Sequence, residues 1–175
     1  MSGTIPMKAE SFLVDAFVLQ KHQVFRHHSA CKELAYVLGK PARNIEEMID
    51  NFQNFLHKNQ TDTIWMEEDH YLIFTTFMDD GLKNAEKLGL EFYHADSLKY
   101  PVTDEEHRGH FKGLVASTAL SAGNDYPHVR ITAHLQSPFD MVTFIQQSSR
   151  AGSVCKSGSV RFFAPKMGNH GLQLV

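Results

Sequence analysis

Residues 146–152 read Gln-Gln-Ser-Ser-Arg-Ala-Gly and follow the apolar stretch from Met141 to Ile145. They set one arginine, Arg150, among small side chains. A guanidinium can fork onto two phosphate oxygens, and small neighbours let backbone approach a bound group closely. The chemistry this pattern could perform is recognition of phosphate, or offsetting of charge that develops on it. Upstream, hydroxyl, glycine and carboxylate residues recur in short groups: Thr75-Thr76, Ser117-Thr118 and Gly123-Asn124-Asp125. Hydroxyls and backbone amides in such groups suit phosphate contact that carries no sequence information.

Other chemistries find less support. The 11 histidines include the pair His27-His28, but no H-E-x-x-H and no paired Cys/His spacing occurs, so no metal site is expected. Ser121 and Ser148-Ser149 lack the G-x-S-x-G context of a hydrolase nucleophile. Cys155 has only Lys156 beside it, too little to make a reactive thiol. His134 falls on a strand pattern and reads as a packed core residue, not a general base. Trp65 reads as a half-buried anchor rather than a base-stacking platform, and Phe139 and Phe144 read as core. Glu67-Glu68-Asp69-His70 reads as a solvated turn.

The chain has 175 residues, 42% hydrophobic with 13 Phe, enough for one domain with a substantial core. No run approaches the roughly 18 apolar residues of a membrane span, and the N-terminus lacks the pattern of a secretion signal. Cys31 and Cys155 lie too far apart for a C-x-x-C pair; a reducing intracellular compartment is expected. The net charge of -3 does not mark a nucleic-acid binder, but its distribution is uneven. The first 140 residues carry 13 basic and 20 acidic side chains; the remainder carries Arg150, Lys156, Arg161 and Lys166 and no acid. Four charges on a solvated tail are a sufficient explanation of that asymmetry.

The elements that must position these residues alternate. A short helix is expected over Lys8–Val18, with Phe12, Ala16 and Phe17 on one side, and a short strand over Gln23–Arg26. Asn44 and Glu47 form a capping box for a helix carrying Ile45, Met48, Ile49, Phe52 and Phe55 to about His57; Lys58–Asp62 reads as loop. Tyr71–Thr75 is a continuous apolar run, as in a buried parallel strand. Asp79 or Asp80 opens a helix with Leu82, Ala85 and Leu88 on its inner face, closed by Gly89. Further strands are expected at Leu90–Tyr93, Gly113–Thr118, Arg130–Leu135 and Ser159–Phe163. Thr103 caps a helix to about Phe111, and Asp140 caps another over Met141–Gln147. The pattern predicts an α/β fold, a parallel sheet with helices on both faces. The loops after Thr75, Tyr93, Thr118, Leu135 and Gln147 then form one functional edge at the carboxyl ends of the strands.

Two segments resemble a known family. Leu114 to Arg130 (L-V-A-S-T-A-L-S-A-G-N-D-Y-P-H-V-R) and Ser137 to Gly152 (S-P-F-D-M-V-T-F-I-Q-Q-S-S-R-A-G) are similar to motifs five and six of RecQ-type DNA helicases. Tyr71–Thr76 resembles motif four, Phe92–Ser97 the Y-H-A-G turn after it, and Ser2–Pro6 motif three. The resemblance spans Ser2 to about Pro165. It implies the second RecA-like (P-loop NTPase-type) helicase lobe, over residues 21–165. Residues 1–20 would be the tail of the first RecA-like lobe and 166–175 a C-terminal tail.

The resemblance also implies a function: ATP hydrolysis coupled to 3′-to-5′ movement on DNA, in a cleft between two lobes, in the nucleus of a eukaryote or otherwise the cytoplasm. Arg150 would be the arginine finger on the terminal phosphate. Gly123, Asp125 and Gln146 would join it at ATP. Thr75, Thr76, His94, Ser117 and Thr118 would contact DNA, single-stranded or at a duplex junction. Where the family has Q-x-x-G-R-x-G-R, Ser149 replaces the first glycine and Ser153 the second arginine. Only Lys112 and Gly113 separate Phe111 from Leu114, a shortening expected to distort the following strand. No G-x-x-x-x-G-K-[ST] occurs in these residues. ATP with Mg2+ would therefore be held by a first lobe, and the chain is expected to be a helicase fragment, inactive alone. The alternative is a catalytically dead module, derived from such a lobe, that binds DNA or a protein.

Overall fold

The computed structural model describes residues 7–18, 20–21, 23, 34–62, 65–95, 112–120, 128–152 and 158–163. Among them six strands form one parallel sheet: β1 (Leu34–Leu38), β2 (His70–Phe74), β3 (Phe92–Tyr93), β4 (Gly113–Ala116), β5 (Val129–His134) and β6 (Gly158–Phe162). Their spatial order is β1-β6-β5-β2-β4-β3, and every described pairing is parallel. The helices are α1 (Glu10–Ala16), α2 (Ile45–Asp62), α3 (Met78–Leu88) and α4 (Met141–Ser148). The expected α/β architecture, a parallel sheet with helices on both faces, is therefore the observed one.

The alternation of side chains along β2, β4 and β5 sorts the core into two layers. Ile73, Val115, Ile131 and Ala133 face α2 and α3, where Met48, Ile49, Phe52 and Ala85 meet them. Leu72, Phe74, Leu114 and Ala116 face the opposite layer with Leu120 and Ala151. β2 and β4 are covered on both faces and read as apolar runs, whereas β5 alternates, with Arg130, Thr132 and His134 between its apolar residues.

Local chemistry sets the helix ends. The Asn44 side chain accepts the Glu47 amide (2.8 Å), but Glu47 reaches back to the Arg43 amide (2.7 Å), one residue before the expected partner. α2 runs through Lys58–Asp62, read above as loop, because no breaker interrupts that polar stretch. α3 begins at Met78 with Phe77 at its N-cap, one or two residues earlier than expected; Asp79 and Asp80 occupy its first turn, where carboxylates complement the helix dipole. Gly89 closes it in the left-handed region at φ 64. Asp140 caps α4 as expected, accepting the Thr143 amide at 2.7 Å.

Several expectations need correcting. β1 was not anticipated, although Leu34-Ala-Tyr-Val-Leu38 is an apolar run of strand length. It is an edge strand, and Tyr36 and Leu38 are exposed. Of the strand expected over Gln23–Arg26, only Gln23 is described, and it is not extended into a sheet. The inner face of α3 is Gly81, Asn84 and Ala85; Leu82 points outward, 54% exposed. Gly81 permits this rotation, since a Cβ there would strike the Phe92 ring. The strand after Lys112 is not distorted: β4 pairs in register with both β2 and β3. The expected motif-three segment and the helix from Thr103 lie outside the described residues.

The tetrad 67–70 is also not a solvated turn throughout. Glu67 and Glu68 are exposed, but Asp69 is fully buried. Its carboxylate accepts the Met66 amide (3.0 Å) and pairs with the Arg130 guanidinium (3.3 Å), tying the entry of β2 to that of β5. Removing one partner of a buried pair strands the other charge. Asp69→Ala should therefore lower the unfolding free energy by about 3 kcal/mol or more, whereas Glu67→Ala should change it little; urea unfolding of the two variants checks this.

Candidate functional site

The candidate residues divide between the two edges of the sheet. At the carboxyl edge, Thr75 and Thr76 follow β2, Ser117 and Thr118 follow β4, and Leu135 to Ser137 follow β5. Thr75, Thr76 and Thr118 line one narrow crevice with Phe74, His134, Gln136, Pro138, Phe139, Thr143 and Gln147. Three of the five expected nucleic-acid contacts therefore converge. Ser117 sits beside Thr118 and turns its hydroxyl oxygen to the Ala119 amide (3.3 Å). His94 lies after β3 with its ring 5.3 Å from that of Phe92, and it does not line the crevice.

The threonines are already engaged. The Thr75 hydroxyl donates to the Phe77 carbonyl (2.9 Å) and that of Thr76 to the Ser137 carbonyl (2.7 Å). A hydroxyl has a single proton, so neither has one left for a phosphate oxygen in this arrangement. The Thr76 amide donates to the Gln136 side-chain oxygen (3.2 Å), and the Gln136 amide nitrogen donates to the Asp80 carboxylate. Together these bonds fasten the loop after β2 to the loop after β5. Thr118 is exposed at the crevice.

Arg150 lies at the other edge. α4 starts at the carboxyl end of β5 and runs back antiparallel to it. The turn that follows closes through Ala151 onto the Ser148 carbonyl (3.1 Å) and Gly152 onto the Val129 carbonyl (3.0 Å), at the start of β5. The loop after Gln147 thus does not share the edge occupied by the threonines, because the helix in a β-α-β unit returns the chain to where the next strand begins. Gly152 has φ 76, and a Cβ on Gly158 would sit 2.6 Å from the Gly152 nitrogen. The small residues after Arg150 therefore serve a close backbone crossing, where the sequence suggested approach of a ligand.

Gly123 and Asp125 lie outside the described residues. The chain re-emerges at His128, in the left-handed region at φ 67. Its neighbour Val129 is the residue that receives the Gly152 amide. Val129, at the start of β5, and Gly152, two residues after Arg150, consequently meet. Arg150 itself is partly buried. Gln146 is partly buried, and its carbonyl accepts the Ser149 hydroxyl (2.8 Å). Ser149, standing at the family's glycine position, is thus used to close the helix end.

Sequence reasoning missed Gln136, Gln147, Pro138, Thr143 and His134 as crevice residues. The loop 136–140 was marked as part of the functional edge, yet no single residue in it carried a signal. Gln147 was hidden beside Gln146: helical phase alone decides that 147 turns inward. Phe139, expected in the core, is 66% exposed at the rim. Trp65 does pack against the α2-side core, and Phe144 is half-buried against His134 (4.8 Å between ring centroids).

His134 forms the floor of the crevice, stacked on Phe74 with Ser148 Oγ 3.4 Å from its Nε2. Burial pushes its pKa down to about 4, partly opposed by a hydrogen bond with Gln147. It is therefore neutral near pH 7 and suited to packing.

No known protein family matches the sequence, and no curated protein matches it. Solved structures do match. A Dbp5 variant from S. cerevisiae bound to RNA and ADP BeF3 superposes with a TM-score of 0.78 at 15% identity, over 95% of this chain and 44% of that one. The E. coli DEAD-box protein SrmB, bound to a regulator of ribonuclease activity, gives 0.60 at 14% identity, over 79% of each chain. Domain 2 of the DEAD-box helicase Mss116p, bound to an RNA duplex, gives 0.55 at 14% identity, over 77% and 55%. The chain spans less than half the length of the Dbp5 chain. The fold is that of the second RecA-like lobe of helicases. These neighbours are DEAD-box proteins and do not single out the RecQ type.

The low His134 pKa has a measurable consequence. In the unfolded chain the imidazole titrates near 6.5 and in the folded one near 4, so between those values the unfolded state binds more protons. Its contribution is fully present above pH 6.5 and is lost as pH falls towards 4. The unfolding free energy should drop over that window by about 3 kcal/mol or less. A His134→Gln variant should show a flatter pH dependence in the same denaturant titrations.

Proposed function

We propose that this chain is the second lobe of an ATP-dependent nucleic-acid helicase of RecQ-like type. In that reading it closes on a first, P-loop-bearing lobe and moves on DNA 3′ to 5′. The observation that supports the reading is the division of the candidate residues: a threonine-lined crevice at one sheet edge, and at the other an arginine turn that meets Val129 at the start of β5. A motor lobe needs such a division, because strand and nucleotide must bind at separate places and still be coupled through one rigid body.

The residue roles follow by proposal. Arg150 offers its guanidinium to the terminal phosphate, with Gln146 shaping the turn and Gly123 and Asp125 approaching the nucleotide. Thr118 and Ser117 meet the strand directly, while Thr75 and Thr76 hold the two loops that frame it. A single guanidinium fits the task of offsetting developing phosphate charge. It cannot cradle a triphosphate, so ATP with Mg2+ would rest on the first lobe. Bound there, that pair supplies the phosphoryl group and the metal that neutralises it.

Ser149 and Ser153 favour a second reading, a binding module that no longer drives hydrolysis. Serine hydrogen-bonds but cannot offset phosphate charge as the family's arginine does. Titration with matched DNA and RNA single strands, together with ATPase assays with and without a RecQ-type first lobe supplied in trans, decides between them. The 175-residue chain alone should hydrolyse no ATP above background. With the first lobe added, DNA-stimulated turnover should appear, and Arg150→Ala should cut it by about 10³ or more. Turnover unaffected by Arg150→Ala removes the finger assignment; single-strand binding with no turnover in any pairing favours the binding module. Preference for RNA over DNA would move the chain from the RecQ type toward its DEAD-box neighbours.

A further inference from the structure

We propose that Phe77 and Phe139 form a stacking platform for an unpaired nucleobase at the carboxyl edge of the sheet. This rests on the nucleic-acid reading above and deepens it by naming the mode of contact. Both rings are large and unusually open, 60% and 66% exposed. They come from different loops, yet their centroids lie 6.4 Å apart at 78°, edge to face. One ring edge thus meets the other ring, and that leaves aromatic surface turned to solvent.

The two rings are held by the threonines. Thr75 bonds the Phe77 carbonyl, and Thr76 bonds the Ser137 carbonyl two residues before Phe139. Their hydroxyl protons are spent on setting the aromatic pair. The rim segments 75–80, 117–120 and 136–140 contain no lysine or arginine. Their acids are Asp79, Asp80 and Asp140; Gln136 bonds the second and the α4 cap uses the third. A rim with three carboxylates and no cation opposes a phosphate, whereas its exposed aromatic faces suit a base. A π-face accepts any base, and amides can bond its edge.

The charge pattern makes the contact distinguishable from ordinary phosphate binding. Affinity contributed by phosphate contacts falls steeply with salt through counterion release; affinity contributed by stacking does not. Both phenylalanines are exposed, so replacing them should leave the fold intact, and thermal unfolding of each variant checks that it does.

The test is titration of the full chain with a short labelled oligothymidylate and with the same strand carrying abasic sites. Phe139→Ala should weaken binding to the intact strand about tenfold, and equally at low and high salt. Phe77→Ala should weaken it in the same direction, Phe139→Tyr should restore it, and Phe139→Leu should not. The abasic strand should bind wild type weakly and be indifferent to Phe139→Ala. Binding by Phe139→Leu or Phe139→Ala as tight as wild type overturns the platform while leaving the helicase-lobe reading in place. Failure of the wild-type chain to bind any single strand overturns both. Self-association of the chain that disappears in Phe139→Ala also overturns the platform, because the rings would then be an interface between copies.

Discussion

All six described strands run the same way, and that single constraint arranges everything else. Parallel strands cannot be joined by tight hairpins, so each connection crosses over a face and returns the chain to the starting edge. Residues just after strands gather at one edge, and residues just after helices gather at the other. Thr75, Thr76, Ser117, Thr118 and Gln136 belong to the first group; Arg150 belongs to the second. The separation of the threonine-lined crevice from the arginine turn is thus a consequence of topology. It would survive any substitution that left the sheet folded.

Topology leaves a cost, which the buried polar groups meet. The layer over which α4 packs contains His134, Gln147 and Ser148, all nearly inaccessible. Polar groups removed from water are tolerated when paired with one another. His134 meets Ser148 and Gln147, and stays neutral there. At the opposite end, Asp69 and Arg130 pair under the entries of β2 and β5. The rim threonines extend the same pattern outward, satisfying loop carbonyls that would otherwise face the crevice unpaired. The Thr76 bonds join the loop after β2 to the loop after β5.

Much of this was legible in the sequence. The apolar runs at β2 and β4, Asp140 as a cap and Gly89 as a terminator all carried local signals strong enough to place elements. What failed did so for identifiable reasons. β1 has the composition of a strand, but an edge strand with exposed Tyr36 and Leu38 shows no alternation to count. Leu82 carries the helical spacing of an inner residue, yet Gly81 lets Phe92 fill the groove and turns the helix. Asp69 looked solvated beside two exposed glutamates because its partner, Arg130, lies 61 positions away. Gln147 and Gln146 differ only in helical phase. Arg150 was singled out from its neighbours, but the edge on which it lies follows from chain direction alone, which no heptapeptide contains.

The structural neighbours share about one residue in seven with this chain, which is informative about what the fold requires. A layer such as Ile73, Val115, Ile131 and Ala133 needs apolar volume in the right places, and many sequences supply it. Core identity therefore decays while the fold persists, and resemblance in fold says little about the ligand. Discrimination between RNA and DNA needs a group placed against the 2′-hydroxyl, and such groups stand on the rim. There this chain shows the exposed side chains of Phe77, Thr118 and Phe139, which are not part of the core layers. Any ligand specificity of this chain must be sought in such rim side chains, because the layers beneath them are occupied with holding the sheet together.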